Sequence, residues 1–299
     1  MMGSWKQSVL IGGLLAPAFL LLVGFVFVPL LYTFYLSFLE WNMISPNKQW
    51  VGFTNYYAVL GSQAFWQSLG NTVLYTLLLL VMVFALPYIL AYGLMFYIKR
   101  GQGLFRIIFF APSVLSLAVA SVIYLWLLNP VSGPIAALLG SIGIETPAWL
   151  STSGWVIVAL SVITAWKSFG YNFILFLSGM TGIPNEVIEA ARLDRIPPWA
   201  IFWYIVRPLS GPTALYVLVL TIVMGTQYVF VPIEMLTKGG PDQGSTNLIF
   251  LTYQYAFQFF QTGKGAASAI IVLIIFAAFL FIQRRVIEHK VYYEHGQKL

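Results

Sequence analysis

Residues 183–208 read IPNEVIEAARLDRIPPWAIFWYIVRP and hold six charged side chains: Glu186, Glu189, Arg192, Asp194, Arg195 and Arg207. Of the whole 299-residue chain only 8% is charged, while 60% is hydrophobic. A soluble domain is roughly 45–50% apolar and about 25% charged. So few charges cannot clothe a water-facing surface, and the solvent for most of this chain is lipid. The charged stretch therefore interrupts two apolar runs, and the fold follows from what lies on either side of it.

Working outward, six runs approach or exceed the roughly 20 apolar residues that a membrane helix needs. They lie near 9–38, 69–98, 107–128, 155–180, 208–233 and 266–283. The expectation is an all-α integral membrane protein, a single domain over 1–299 with six transmembrane helices. The first run is too long for a signal-peptide core and lacks a small-residue cleavage site, so it counts as a span.

Lys and Arg set the orientation. Lys6, Lys99, Arg100, Arg106, Arg192, Arg195, Arg207, Arg284, Arg285, Lys290 and Lys298 fall on one set of segments. Lys48, Lys238 and Lys264 fall on the other, and Lys167 lies inside a span. Positive residues favour the cytoplasmic side. Both termini and the charged stretch are accordingly expected in the cytoplasm, with the loops near 39–68, 129–154 and 234–265 outside. The aromatic residues of those outer loops, such as Trp41, Trp50, Trp66 and Trp149, suit an interfacial belt.

The inventory excludes much chemistry. There are no cysteines, so disulfides, thiolate zinc sites and iron–sulfur clusters are ruled out. The two histidines, His289 and His295, lie in a polar C-terminal tail, so no span offers a Ser–His pair or a haem ligand. The phrase TGKGAAS at 262–268 lacks the upstream glycine and the Ser/Thr after Lys of a phosphate-binding loop. No metal-ligand set stands out either. The net charge of +6 is not arranged as a basic stripe with interleaved aromatics, so nucleic acid is not an expected partner. The chain reads as a non-enzyme, and uphill work needs energy from a partner or an ion gradient.

Polar side chains inside spans usually face protein or a water-filled cavity. In the fourth run Ser161, Thr164, Ser168 and Tyr171 share one helical face, with Lys167 alongside. The third run carries Ser113, Ser116, Ser121 and Tyr124, and the fifth Thr221, Thr226, Gln227 and Tyr228. Hydroxyls of this kind also bond their own helix or glue helices together. Three such stripes together suggest a shared path for a neutral polyhydroxylated solute. The candidate lining is Ser113, Ser116, Thr164, Lys167, Ser168, Tyr171, Thr226, Gln227 and Tyr228. Lys167 leaves an anionic group on the solute conceivable.

Within the charged stretch, Asn185 suits an N-cap, and Glu186 and Glu189 suit the positive end of a helix. Glu186, Glu189 and Arg192 form one charged edge, beside a small-residue face of Val187, Ala190, Ala191 and Asp194. Pro197 and Pro198 end the helix. A second amphipathic piece then runs to Pro208 and Pro212. A solvated loop explains the arginines; a docking surface also explains the glutamates, the paired alanines and the prolines.

EAARLD, followed by Phe202, Ile205, Pro208 and Pro212, resembles the EAA loop of bacterial ABC importer permeases. WVGFTNYYAVLGSQAFWQSLGNT (50–72), FFAPSVLS (109–116), LTKGGPDQGST (236–246) and YAFQFFQTGKGAAS (255–268) resemble signatures of the carbohydrate branch, the maltose and glycerol-phosphate type. The resemblance implies a type I importer permease fold in a bacterial inner membrane. It implies a heterodimer with a second related permease, and an extracytoplasmic substrate-binding protein delivering a sugar-like solute. Two ATP-binding-cassette subunits would hold ATP and Mg, with no cofactor on this chain. It places the coupling loop at 183–212, with Glu186, Glu189, Ala190, Ala191, Asp194 and Arg195 facing the ATPase, and sugar contacts on Ser113, Thr164, Ser168, Tyr171 and Thr226. The family usually has Gly where Arg195 stands; Gly would ease a positive φ there. The alternative reading is a stand-alone secondary transporter or channel, for which only Lys167 offers a coupling group at mid-membrane.

Overall fold

The computed structural model describes residues 4–98 and 100–287. Lys99, His289, Lys290, His295 and Lys298, the two chain ends, and the side chains of Lys6 and Arg284 lie outside the described residues. Among these residues five helices are long and apolar enough to cross a membrane. They are Ile11–Leu36 (α1), Gln63–Phe96 (α3), Trp155–Met180 (α7), Gly211–Thr237 (α10) and Thr262–Gln283 (α12). Shorter helices are Thr54–Leu60 (α2), Gln102–Phe110 (α4), Leu117–Leu127 (α5), Pro134–Ser141 (α6), Asn185–Leu193 (α8), residues 198–209 (α9) and Leu248–Tyr253 (α11).

The run at 107–128, expected as one span, is broken. The segment Gln102–Val114 meets α5 at 98°. Pro112 opens a single 3₁₀ turn, Ala111–Val114, and Leu115 and Ser116 are then extended. Ser116 restarts the helix, its hydroxyl accepting from the Val119 N–H at 3.2 Å. Proline and an N-cap serine within five residues turn the chain inside a run that is apolar on average.

Prolines also explain three widened turns. π-turns at Val23–Phe27, Leu80–Ala85 and Phe202–Val206 each end two residues before a proline: Pro29, Pro87 and Pro208. A proline has no N–H for the carbonyl four residues back, so the preceding turn loosens.

Contacts divide the chain into two compact units, 1–62 with 251–274, and 63–250 with 275–299. In the first, the short hairpin Leu39–Glu40 (β1) and Gln49–Trp50 (β2) pairs antiparallel. Buried Asn55 on α2 donates to the Ser37 and Leu39 carbonyls, each at 2.9 Å. The Thr262 N–H donates to the Trp41 carbonyl at 3.0 Å. A Cβ on Gly263 would collide with the Leu39 carbonyl, so only glycine lets α12 start there.

The second unit packs α7 against α3, α4 and α10. One apolar cluster joins Tyr88, Tyr92 and Phe96 of α3 with Phe173, Phe176 and Met180 of α7. Ile188, Ala191, Ile201 and Val206 from the charged stretch belong to the same cluster. At the crossing with α4, a Cβ on Gly170 would strike the Phe109 carbonyl, so glycine permits the close approach.

Candidate functional site

The charged helix α8 is short and exposed on one side. Pro184, not Asn185, occupies the cap position, with φ −60° and ψ 132°. Asn185 is the first helical residue and makes no capping bond, because proline already sets the entry. Glu186 sits in the first turn, where the helix dipole favours it.

The C-terminal end is closed by paired backbone bonds. The Ile196 N–H donates to the Ala191 carbonyl and the Arg195 N–H to the Arg192 carbonyl, both at 3.0 Å. This Schellman arrangement needs a left-handed residue after the cap, and Arg195 supplies it at φ 56°. A side chain in that region costs roughly 1–2 kcal/mol relative to glycine.

The faces of α8 differ in part from expectation. Ile188 and Ala191 turn inward to the apolar cluster. Ala191 therefore packs on its own fold and does not line an outer small-residue face. Glu186, Val187, Glu189, Ala190, Asp194 and Arg195 are exposed, and so is the apolar Leu193, at 85%. Arg192 does not extend the acidic edge. Its guanidinium donates to the Phe96 carbonyl and lies 4.8 Å over the Tyr97 ring, which ties α8 to the end of α3.

Helix α9 is held by aromatic contacts. Phe202 packs against Tyr88 and Tyr92 with ring centroids 5.0 and 5.2 Å away. The Tyr92 hydroxyl donates to the Pro198 carbonyl at 2.9 Å. Tyr88 in turn stacks on Phe176 at 4.3 Å and 11°. One continuous set of contacts thus links the exposed helix to α3 and α7.

The expected polar lining separates into two groups. Thr164 and Thr226 are buried and donate to carbonyls of their own helices, Leu160 at 2.9 Å and Val223 at 2.8 Å. Ser161 and Ser168 are also buried. Ser113 donates to the Lys167 carbonyl at 2.9 Å, holding the bend of α4 onto α7. Ser116 is the cap of α5. Ser116, Tyr171, Gln227 and Tyr228 are exposed, with Ser113 and Lys167 half-buried. Tyr216 of α10 lies close to Tyr171, and Tyr228 is near the same phenol.

Three residues escaped the sequence reading. Besides Tyr216, Glu234 falls in the membrane-length helix because α10 continues past 233 to Thr237. Its Oε2 is buried without a hydrogen-bond partner. Asn172 donates to the Val83 carbonyl at 2.7 Å and to the Thr221 hydroxyl at 3.2 Å. Val83 is the carbonyl from which Pro87 withholds an N–H, so Asn172 supplies the donor that the proline lacks. A proline in mid-span is the signal for such a partner.

Residues 89–291 match the family model described as the binding-protein-dependent transport system inner membrane component. The chain belongs to this family. It is a multi-pass inner-membrane permease of an ABC import system that works with a separate binding protein, a transport component and not a catalyst. The permease is 30% identical over 280 residues to the sn-glycerol-3-phosphate transport system permease protein UgpA of Agrobacterium fabrum, covering 94% of this chain and 95% of that one. It is 34% identical over 262 residues to the multiple sugar-binding transport system permease protein MsmF of Streptococcus mutans, covering 88% and 89%. Its fold matches a chain of the bacterial ABC transporter involved in import of the acidic polysaccharide alginate, with TM-score 0.79 and 21% identity, covering 94% of this chain and 97% of that chain.

Proposed function

We propose that this permease forms half of the path for a sugar-like solute, with a second related permease forming the other half. Of two ATPase subunits holding ATP and Mg, one docks on the exposed face of α8 and the other on the matching loop of the second permease, and this chain binds no nucleotide of its own. The observation that carries this reading is α8 itself: charged and exposed outside, seated by Ile188 and Ala191 inside, and tied through Arg192, Tyr92 and Phe202 to two long helices. Glu186, Glu189, Ala190, Asp194 and Arg195 are the docking contacts, with exposed Leu193 as an apolar knob between them. A push on that face is transmitted to α3 and α7 by packed rings. The sugar assignment is supported by the relatives named for multiple sugars and glycerol phosphate. The accessible Tyr171, Tyr216, Tyr228 and Gln227 supply rings and hydrogen bonds suited to polyols.

Replacing Glu189 with Lys reverses charge at the dock. Uptake and solute-stimulated ATP hydrolysis by the reconstituted complex should both be lost, while the external protein still binds its solute. Unchanged uptake and hydrolysis would remove α8 from the docking role. Uptake by this chain alone in proteoliposomes, without ATP, would favour a stand-alone transporter and sink the reading.

A further inference from the structure

The unit formed by residues 1–62 and 251–274 carries a half-open cavity of about 500 Å³. It lies between the β1–β2 hairpin, α2 and the turn into α12, and none of the roles above uses it. Its size is that of a small-molecule site, roughly 300–1,000 Å³.

The wall is dense in hydrogen-bonding groups. Asn47, Gln49 and Gln261 bring amides, Thr54 a hydroxyl, Glu40 a carboxylate and Lys264 an ammonium. Asn55 also lines it. Both hydrogen bonds recorded for its amide nitrogen go to backbone carbonyls, which leaves its carbonyl oxygen as the acceptor. Trp41 provides a ring at the same wall, fixed by its indole N–H donating to the Ser45 carbonyl at 2.8 Å. Lys48 sits 4.3 Å over that ring and further restrains it. A ring held before binding costs little entropy to order, which favours weak ligands.

The balance of charge narrows the ligand. Within the lining the Glu40 carboxylate balances the Lys264 ammonium, and Lys48 beside Trp41 adds one positive charge at the edge, so the wall suits a neutral solute and disfavours a cation. Amides and a hydroxyl both donate and accept, as sugar hydroxyls do. A purely apolar ligand would strand these groups without partners.

We infer that this cavity is a holding site for a polyhydroxylated solute of the mono- or disaccharide class, separate from the phenols on α7 and α10. The inference rests on the sugar reading above, but it is carried by residues that reading does not use. The test is saturation-transfer NMR on the complete transporter in nanodiscs, with maltose, sucrose and trehalose as probes. At least one sugar should receive transfer. The double variant Gln261→Ala/Lys264→Ala should weaken that binding by about tenfold or more, through loss of a charged hydrogen bond and a neutral one. Both side chains are partly or fully exposed, so truncation leaves the fold intact. The part of the signal that depends on Gln261 and Lys264 should persist in Tyr171→Ala, which removes only what the phenols on α7 and α10 contribute.

Equal transfer in wild type and double variant, or no transfer to any probe, overturns the holding site. So does a double variant that keeps sugar transfer but loses affinity for the external binding protein, since the cavity then seats a protein loop. Uptake assays separate the two readings. Sugar uptake without a Gln261- and Lys264-dependent signal sinks the cavity alone. A dependent signal without sugar uptake sinks the sugar-transport reading and leaves the cavity.

Discussion

Arg195 shows how much one backbone angle can reveal. It holds φ 56° so that the Ala191 and Arg192 carbonyls find partners, and strain of this kind persists where the surroundings or the function demand it. Arg195→Gly should relieve the strain and raise stability by about 1 kcal/mol, read as an upward shift in thermal unfolding of the solubilised permease. A downward shift would mean that the guanidinium contributes more than the angle costs. Asn172 presents the opposite case, a side chain that repairs the backbone. Asn172→Leu strips the Val83 carbonyl of its donor and should cost about 1–3 kcal/mol. Pro87→Ala restores an N–H four residues on and should recover part of that loss in the double variant. Strictly additive losses would sever Asn172 from the proline. Neither role is legible from composition. The positive φ at 195 was suggested only by a missing glycine, and Asn172 shares the face of Ser161 and Ser168 on α7 but is an amide, which a pattern of hydroxyls passes over.

At the scale of elements, the charged helix was legible because lipid excludes charge and prolines punctuate it. Its orientation was not. Ala190 and Ala191 look equivalent as letters, but with 100° between successive side chains only Ala191 reaches the cluster of Ile188 and Phe176. The broken span was hidden for a related reason: Pro112, Ser113 and Ser116 sit inside a run that is apolar on average through a 98° bend, so mean hydropathy does not register the turn. The seating of α8 makes a prediction of its own. Ile188→Ala opens a cavity beneath the helix and should cost about 2–5 kcal/mol locally. In the reconstituted transporter ATP hydrolysis should continue while uptake falls, because the dock survives but no longer moves α3 and α7. Tyr92→Phe, which loses only the bond to the Pro198 carbonyl, should show the same uncoupling in weaker form. Equal loss of both activities in Ile188→Ala would mean that the helix fails to dock at all.

For the whole molecule, the deciding asymmetry is the placement of Lys and Arg, which predicts α8 on the cytoplasmic side and the hairpin on the other. The absence of cysteine makes this directly measurable, since any introduced thiol is the sole thiol of the chain. Ala190→Cys and Asn47→Cys both place it at exposed positions, one on α8 and one between β1 and β2. In intact spheroplasts a membrane-impermeant maleimide should label Asn47→Cys at once, and Ala190→Cys only after permeabilisation. Co-assembly with the ATPase should then protect Ala190→Cys and leave Asn47→Cys reactive. The reverse labelling would invert the chain, removing α8 from the reach of cytoplasmic ATP and the polar cavity from the side where a binding protein delivers its solute. Both proposals therefore depend on one orientation, and these two thiols test it before any solute is known.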